Sequence, residues 1–569
     1  MNIILNFYDF EVFSNNWLVV IINPATHEQT VIIDDPDKLK TYYEEHKKEV
    51  WIGYNSRHYD QYILKAILCD FDPKEVNDYI IVQGNGGWQF SNLFNKIKVN
   101  NYDVMSTMHG LKQLEGFMGN NIKESGVSFD IDRPLTQEEI EETVQYCIHD
   151  VEQTIEVFIR RKDEFDAVMG LIKAFQLPLS SIGKTKAQLS ARILEASKQE
   201  RNDEWEIEFV DTLDIQKYGY VIDWFLSHKT YKDKLTTIVS GVEHTFAWGG
   251  LHGAREKYHH KCKAGEIILH VDVSSFYPAI MIEYDLLSRN VKDPKKYRDI
   301  RDLRLKYKAE KNPLAAPYKI VLNSTYGICK DKYSPMYDPR QANMICINGQ
   351  LLLLDLLEHL EQIRSYKLIQ SNTDGLIILI NESDFALTDD ICYEWEHRTH
   401  MELGFDYITE IWQKDVNDYI FVEESGALER KGAYVKELND LDYDLAIVNI
   451  AMVKYMTEHV PVEVTINACQ DLRDFQKIVK VSSKYKKAWH NGEYLNDKTF
   501  RVFASKDSSD TYIGRIKEEG ATVEKFANTP DKCFIDNGSI HGKSIPSKLD
   551  RQWYIDLATV RLRQYGVDV

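Results

Sequence analysis

The stretch Ile267–Pro278, with the sequence IILHVDVSSFYP, is the segment to which the other motifs of the chain can be related. Its β-branched and apolar residues predict a short strand that ends at Asp272, followed by a turn and a helix that begins at Pro278. An acidic residue at a strand end, followed by two hydroxyl residues and a turn, can hold a metal ion and bind phosphates through backbone N–H groups. Asp is also a common turn residue, so the stretch by itself leaves both interpretations open.

The composition excludes a disordered chain and predicts several globular domains. The chain has 569 residues, of which 43% are hydrophobic and 28% are charged, so it is too long for one core and ordinary in composition. Its net charge of −20 argues against a uniformly basic nucleic-acid-binding surface. Two local basic runs, Lys295–Lys311 and Lys477–Lys487, are nonetheless candidates for phosphate contacts, with a solvated helix face as the alternative interpretation.

The cysteines and the apolar residues predict where the chain resides. The eight cysteines are spaced singly, without a C-x-x-C pair, which argues against a zinc ribbon or a disulfide framework and fits a reducing cytosol. No apolar run is long enough to span a bilayer. We therefore expect a cytoplasmic protein with no membrane partner.

Two carboxylates share one face of the first predicted strand. Residues Ile3 to Val12 alternate in polarity, so that Asp9 and Glu11 project to the same side. Like charges this close together are costly unless a cation lies between them. Further on, a turn leads to Asp60 at a predicted helix N-terminus, where favourable interaction with the helix dipole is the alternative interpretation.

A capping-box sequence at Thr136 predicts the start of a helix that carries Tyr146 and Asp150 on one face. In the order Asp9, Glu11, Asp60, Tyr146 and Asp150, these residues resemble the 3′–5′ proofreading exonuclease module. In that module four carboxylates hold two metal ions and the tyrosine orients the attacking water. The resemblance implies catalytic roles for Asp9, Glu11, Asp60, Tyr146 and Asp150, with metal binding by the four acids. It also implies DNA contacts by Asn55 and Tyr59 and a supporting role for Lys112.

Two later stretches carry side chains that suit a nucleotide. Lys319, Asn323 and Tyr326 lie on one face of a predicted helix, and a cation, an amide and an aromatic ring can bind phosphate, base and sugar. A buried amphipathic helix would instead carry apolar residues there. Apolar runs flank Asn372–Gly375, which predicts a β-hairpin with Asp374 at its tip, although Asp-Gly is also ordinary turn chemistry.

Together these stretches resemble the three core motifs of family B DNA polymerases of the compact bacteriophage type. Asp272 begins D-x-x-S-[LF]-Y-P, Lys319 begins K-x-x-x-N-S-x-Y-G, and Asp374 is the second Asp of D-T-D-[SG]. The resemblance implies an α/β and α+β multidomain fold with a ribonuclease H-like exonuclease domain and a right-hand polymerase. The implied domains are 1–165 (3′–5′ exonuclease), 166–290 (linker and first part of the palm), 291–345 (fingers), 346–460 (second part of the palm) and 461–569 (thumb and C-terminal region).

The resemblance also implies a role for each matched residue. Two Mg²⁺ ions per active site, or Mn²⁺ instead, would be held by Asp272, Asp374 and the Val273 carbonyl. Lys319 would neutralise triphosphate charge as a catalytic residue, and Tyr277 would exclude a 2′-hydroxyl. The other implied nucleotide contacts are Ser274, Ser275, Phe276, Asn323, Tyr326, Arg304 and Lys308. The other implied DNA contacts are Gly249, Gly250, Lys431, Tyr434, Lys484, Lys486 and Lys487.

The expected function is template-directed addition of dNTPs to a primer 3′-hydroxyl, with 3′–5′ proofreading, in phage genome replication. The expected partners are primer–template DNA, dNTPs and a phage helicase, primase or single-strand-binding protein, and we expect a monomer in the host cytoplasm. The short interval between Asp272 and Asn323 leaves little room for an insertion that engages a priming protein. It therefore predicts extension of an ordinary nucleic-acid primer, with weaker intrinsic processivity and strand displacement than in the protein-primed relatives.

One residue departs from the family pattern. Asn372 stands where the family usually has the first Asp of D-T-D. If this position mainly orients its neighbours, polymerase activity survives, and if it is needed for metal binding, activity falls. The first alternative is favoured, since Asp272 and Asp374 remain. A nuclease with a decayed polymerase half, or a non-catalytic replisome scaffold, would instead predict loss of Asp272, Lys319 or Asp374, and all three are present.

Overall fold

The structure is a computed structural model that describes residues 3–106, 109–518 and 520–569. These residues form two compact units, each built from separate stretches of the chain. The first unit contains residues 1–184, 438–447 and 466–554, and the second contains residues 185–437, 448–465 and 555–569. Both units combine helices with sheets, so the predicted mixed α/β, multidomain class is confirmed. The domain boundaries and the palm, fingers and thumb names stay predictions.

The amino-terminal part of the first unit is built on a five-stranded mixed sheet. Its elements in chain order are β1 (Leu5–Val12), β2 (Trp17–Asn23), β3 (Glu28–Ile33), α1 (Pro36–His46), β4 (Val50–Gly53), α2 (Asp60–Leu68), α3 (Pro73–Asn77), β5 (Asn101–Asp103), α4 (Leu111–Met118), α5 (Gln137–Arg160) and α6 (Lys162–Ala174). The strand order is β3-β2-β1-β4-β5. Because β1 pairs in parallel with β4, and β4 with β5, the carboxyl ends of these three strands meet at one edge of the sheet.

The predicted capping box at the start of α5 is confirmed. The Thr136 hydroxyl accepts a hydrogen bond from the Glu139 N–H at 3.2 Å, and the Glu139 carboxylate accepts one from the Thr136 N–H at 2.8 Å. These two bonds satisfy N–H groups that have no partner within the helix. They fix the first turn of α5, and the helical period then places Tyr146 and Asp150 on the face toward β1.

The second unit is organised around a ten-stranded sheet. Its elements are α7 (Lys186–Ile193), α8 (Tyr220–Ser227), β6 (Leu235–Val239), β7 (Val242–Phe246), β8 (His252–Ala254), β9 (Tyr258–Lys261), β10 (Glu266–Val273), α9 (Phe276–Glu283), α10 (Pro294–Ala309), α11 (Ala315–Lys330), α12 (Pro339–Leu360), β11 (Lys367–Asn372), β12 (Gly375–Asn381), α13 (Phe385–Thr399), β13 (Leu403–Asp415), β14 (Asp418–Glu423), β15 (Leu428–Lys431) and α14 (Ala446–Glu458), whose first two residues belong to the first unit. The strand order is β15-β14-β13-β10-β12-β11-β8-β7-β6, and β9 pairs with β13.

The quoted stretch forms the central strand β10 and the following helix α9, but the helix begins earlier than predicted. It starts at Phe276, two residues before Pro278. Ser275 precedes it with a φ of 51°, in the left-handed region, and this reversal turns the chain directly from strand into helix. Pro278 is tolerated because it still lies in the first turn, where N–H groups lack intrahelical acceptors. The hairpin with Asp374 in its two-residue turn and the helical face of Lys319 are both confirmed.

The carboxyl-terminal elements are α15 (Val462–Ala468), β16 (Lys477–Lys480), β17 (Lys487–His490), β18 (Glu493–Leu495), β19 (Thr499–Ala504), β20 (Gly514–Ile516), β21 (Glu524–Lys525), β22 (Cys533–Ile535) and α16 (Arg551–Arg563). Two small sheets, β16-β19-β22 and β18-β17-β20-β21, belong to the first unit. Short 3₁₀ or π-helical segments occur at 78–82, 87–89, 92–96, 179–183, 382–384 and 472–475. In the described part of the chain, no helix is both long and apolar enough to cross a membrane.

A fully buried arginine connects the two halves of the first unit. The Arg501 side chain, on β19, donates to the carbonyls of Gly116 at 3.2 Å and Asn120 at 2.6 Å, at the end of α4. It also donates to the carbonyls of Asp536 and Gly538 and to the Gln476 side chain. Burial lowers the pKa of Arg501 to about 10. The guanidinium thus supplies donors to five oxygens in a region that water does not reach.

Candidate active sites

Three carboxylates of the first unit meet at the carboxyl end of β1. Asp9 and Glu11 project from the same face of that strand, as their alternation predicts. Asp60 is the first residue of α2, and its Oδ1 accepts a hydrogen bond from the Phe10 N–H at 3.1 Å. This bond, made by the residue between Asp9 and Glu11, brings the third carboxylate beside the first two. Asp60 is only 2% exposed, and Glu11 is 7% exposed.

The fourth carboxylate comes from α5 and is shared with a lysine. Asp150 accepts a hydrogen bond from Lys112 Nζ, which also donates to Glu115 at 3.1 Å. The same ammonium lies 4.6 Å from the centre of the Tyr146 ring. Lys112, which the sequence suggested as an assisting residue, therefore contacts both predicted residues of α5. Glu115 is fully buried and was not predicted.

The charge balance of this cluster fits a divalent cation. Burial, and next the Asp60 carboxylate, raises the pKa of Asp9 well above its usual value. Burial and the neighbouring carboxylates likewise raise the pKa of Glu11, and burial raises the pKa of Asp60 to about 7. Lys112 lowers the pKa of Asp9 and Glu11 but does not offset these effects. Crowded oxygen ligands that resist ionisation are stabilised by a divalent metal.

The predicted DNA-contact residues of the first unit lie on a turn held by Asp103. The carboxylate of this residue, at the end of β5, accepts hydrogen bonds from the N–H groups of Asn55 at 2.8 Å and Arg57 at 3.0 Å. Asn55 adopts a left-handed conformation with φ 61°, and the Tyr59 hydroxyl donates to Asn77. The supporting role of Asp103 was not predicted, because it depends on a parallel strand pairing between residues distant in sequence.

In the second unit, the strand end at Asp272 and the hairpin turn at Asp374 are joined through the backbone. The Val273 N–H donates to the Asp374 carbonyl at 2.8 Å. Both cross-strand neighbours of Asp272 are glycines, Gly375 on β12 and Gly404 on β13. A Cβ at Gly375 would lie 3.3 Å from the Asp272 carboxylate. Burial, and next the Asp374 charge, raises the pKa of Asp272 to about 6.

A cavity of about 410 Å³ adjoins this pair of carboxylates and is lined by all three predicted motifs. This volume lies within the range of small-ligand sites. The lining residues that the sequence predicted are Asp272, Val273, Ser275, Phe276, Tyr277, Arg304, Lys319, Asn323, Tyr326 and Asp374. Lys308, exposed on α10, and Ser274, whose N–H donates to the Glu402 carbonyl, are not among the lining residues.

The floor of the cavity is aromatic. The rings of Tyr277 and Tyr326 lie 4.4 Å apart between centroids. A Cβ at Gly349 on α12 would lie 3.2 Å from the Tyr277 ring, so this unpredicted glycine makes room for the ring. At the rim, Arg304 donates to the Ser275 hydroxyl at 3.2 Å. A polar rim with two carboxylates, above an aromatic floor, is suited to a phosphorylated sugar and its base.

Asn372, the residue that departs from the family pattern, lies opposite His252. The two residues are cross-strand partners on β11 and β8, and burial lowers the pKa of His252 while the Asn372 side chain partly opposes this effect. The following residue, Thr373, has a φ of 22° and donates its N–H to the Leu251 carbonyl. A Cβ at Gly250 would lie 2.7 Å from the Thr373 hydroxyl. A larger residue at position 250 would therefore collide with the Thr373 side chain, which explains the glycine independently of its predicted contact with DNA.

The other predicted DNA contacts lie on the surfaces of their own units. In the second unit, nothing lies within 4 Å of a Cβ placed on Gly249, and Lys431 is exposed at the end of β15. The Tyr434 ring packs against the Arg561 guanidinium, 4.1 Å from the ring centre. In the first unit, Lys484 and Lys486 are exposed and Lys487 is partly exposed. Within the same basic run, Lys477 forms an ion pair with Asp444 at 2.5 Å.

Comparisons with known proteins find similarity to DNA polymerases. No protein-family model matches the chain. Over 226 residues the chain is 24% identical to DNA polymerase 1 of Saccharolobus solfataricus, a match that covers 36% of this chain and 24% of that protein. The chain thus spans about a quarter of the length of the curated relative that it matches.

A solved family B DNA polymerase from the archaeon Pyrobaculum calidifontis aligns with all of this chain and 78% of its own. The TM-score is 0.43 and the sequence identity is 14%. The compact bacteriophage type stays a prediction from the sequence.

Proposed function

We propose that the chain is a family B DNA polymerase that adds dNTPs to a primer 3′-hydroxyl and proofreads with a 3′–5′ exonuclease. The observation that carries the proposal is the cavity of the second unit, because three motifs far apart in sequence contribute its lining. The proposed substrates are primer–template DNA and dNTPs. The roles in phage replication, the monomeric state and the replisome partners stay predictions from the sequence.

The arrangement of the cavity supports a separate role for each of its lining residues. Lys319 and Arg304 would bind the triphosphate, since both are cations on the lining helices. The Tyr277 ring would pack under the deoxyribose and leave no room for a 2′-hydroxyl. Asn323 and Tyr326, on the same face of α11 as Lys319, would contact the base pair being formed.

The carboxylates of both units support binding of divalent metal ions. Asp272 and Asp374, with the Val273 carbonyl, would hold Mg²⁺ or Mn²⁺ in the polymerase site, and Asp9, Glu11, Asp60 and Asp150 would do so in the exonuclease site. When bound, such ions supply charge neutralisation and lower the pKa of the attacking hydroxyl or water. In the exonuclease site the Tyr146 hydroxyl would orient the attacking water, and Lys112 would hold Asp150 in place.

The proposal predicts that the two activities can be removed separately. Primer extension and 3′ degradation are measured with Mg²⁺ on a primed template for wild type, Asp374→Ala and Asp9→Ala. We expect Asp374→Ala to lose at least about a thousandfold in extension, or about 4 kcal/mol, and to keep degradation. Asp9→Ala should show the reverse pattern.

Asp389→Ala, which removes an exposed carboxylate from α13, serves as the matched control and should change neither activity. Absence of extension by the wild-type chain would contradict the polymerase assignment and leave a nuclease. Absence of both activities would favour a non-catalytic scaffold. Loss of both activities in either aspartate variant would contradict the assignment of one site to each reaction.

A further inference from the structure

A cysteine lies against the proposed nuclease metal site and has no part in the proposed reaction. Cys147 follows Tyr146 on α5, is fully buried, and is a free thiol. Its Sγ lies 3.4 Å from the Asp9 carbonyl oxygen and 3.8 Å from Asp9 Oδ2. One ligand atom from each of Asp9, Glu11 and Cys147 falls within 4.8 Å of the other two.

A second observation at this point is that the Glu11 carboxylate lacks a protein partner. Its residue is more than nine-tenths buried, and among the described residues its carboxylate accepts no hydrogen bond and forms no ion pair. One of its oxygens lies within 4.8 Å of a carboxylate oxygen of Asp9 and of Cys147 Sγ. A buried carboxylate without a partner is costly, so this side chain favours a cation at this position.

The three ligand atoms suit a soft divalent cation as well as a hard one. In a tetrahedral zinc site with bonds of about 2.3 Å to sulfur and about 2.1 Å to oxygen, the sulfur and oxygen ligands are about 3.6 Å apart. The distance of 3.8 Å between Cys147 Sγ and Asp9 Oδ2 is close to this value. Mg²⁺ prefers oxygen ligands, whereas thiolate sulfur favours Zn²⁺ and Cd²⁺.

We propose that Cys147 joins Asp9 and Glu11 as a ligand for soft divalent cations, and that Zn²⁺ or Cd²⁺ held this way blocks the nuclease. Coordination replaces the S–H bond by a sulfur–metal bond and releases the proton to solvent, with no change of oxidation state. With Mg²⁺ or Mn²⁺ the carboxylates alone bind, and the thiol keeps its proton. The inference rests on the proposed metal site of the exonuclease.

The test uses the full chain and follows the metal rather than activity alone. Cd²⁺ is titrated into wild type and Cys147→Ser while the ultraviolet sulfur-to-cadmium charge-transfer band is recorded. We expect the band in wild type and its loss in Cys147→Ser. Zn²⁺ affinity, measured by competition with a chelating dye, should fall about tenfold or more, and Mn²⁺ affinity should be unchanged.

Two further variants keep the test decisive. Cys147→Ala is the alternative if the serine variant unfolds, since alanine places no polar atom in the buried site. Cys69→Ser, which alters a partly exposed cysteine of the same unit, should retain the band. Inhibition by Zn²⁺ should require about tenfold more metal in the Cys147 variants than in the Cys69 variant.

The outcomes separate this inference from the proposed function. A band that persists without Cys147, or is absent from wild type, overturns the thiol as a ligand and leaves the carboxylate site intact. Failure of Mn²⁺ to bind wild type and to support 3′ degradation overturns the proposed exonuclease site instead. Equal Zn²⁺ affinity in wild type and the Cys147 variants also overturns the inference.

Discussion

Arg501→Met is expected to destabilise the first unit by about 4 kcal/mol or more. The guanidinium donates hydrogen bonds of 2.6–3.2 Å to four backbone carbonyls and to the Gln476 side chain. The Gly116 carbonyl also accepts from the Gly119 N–H, so among the described residues the substitution leaves four acceptors without a donor: the carbonyls of Asn120, Asp536 and Gly538 and the Gln476 side-chain oxygen. A buried acceptor left without a donor costs about 1–3 kcal/mol. Three carbonyls and the Gln476 oxygen at the lower figure give about 4 kcal/mol, because Met fills most of the volume but supplies no donor.

The measurement is urea denaturation and thermal unfolding of the full chain. A loss of about 4 kcal/mol should lower the melting temperature of the affected transition by about 8–16 °C. Arg501→Lys should fall between wild type and Arg501→Met, since an ammonium has three donors. The control is Lys525→Met, which removes an exposed ion pair with Asp531 worth at most about 1 kcal/mol. If Arg501→Met is as stable as this control, the carbonyls find other donors and the reasoning is wrong.

Two further predictions concern the carboxylate sites. Asn372→Asp should keep primer extension within about tenfold of wild type, or about 1.4 kcal/mol, because Asp272 and Asp374 remain; a hundredfold increase would instead identify position 372 as a metal ligand. The raised pKa of Asp60, about 7 against a usual 3.8, means that the folded state binds more protons between these values. Without metal, the free energy of unfolding should therefore fall by up to about 4 kcal/mol as pH rises from about 4 to 7, as measured by urea denaturation in EDTA. Asp60→Asn should flatten this pH dependence, and Mg²⁺ should oppose the loss of stability. An equal pH dependence in the variant would contradict the raised pKa of Asp60.

The parts of both sites that could be predicted from the sequence are those set by local physics. The turn at Asp374 follows from two apolar runs around Asn-Thr-Asp-Gly, and the shared face of Lys319 and Asn323 follows from the helical period. The capping box at Thr136 likewise uses only residues three apart. In each case the determining interaction lies within a few residues, so the pattern is visible in the chain itself.

The supporting residues could not be predicted, because their reasons lie far away in sequence. Gly404 is opposite Asp272 only through the pairing of β13 with β10. Gly349 matters only where α12 passes beneath the Tyr277 ring. Asp103 organises the Asn55 turn across a parallel strand pair. The early start of α9 depends on the backbone of Ser275, whose left-handed conformation is uncommon for a serine.

The route of the chain through the first unit has a consequence for its synthesis. The hydrogen bonds of Arg501 to Gly116 and Asn120 span 385 and 381 residues. While the nascent chain is still on the ribosome, the carbonyls at the end of α4 have no guanidinium to bind until translation has passed position 501. We therefore expect the amino-terminal part to remain incompletely folded and prone to aggregation until the carboxyl-terminal segment emerges. A ribosome that stalls in the second unit would release an amino-terminal part, the proposed nuclease, that lacks the hydrogen bonds of Arg501.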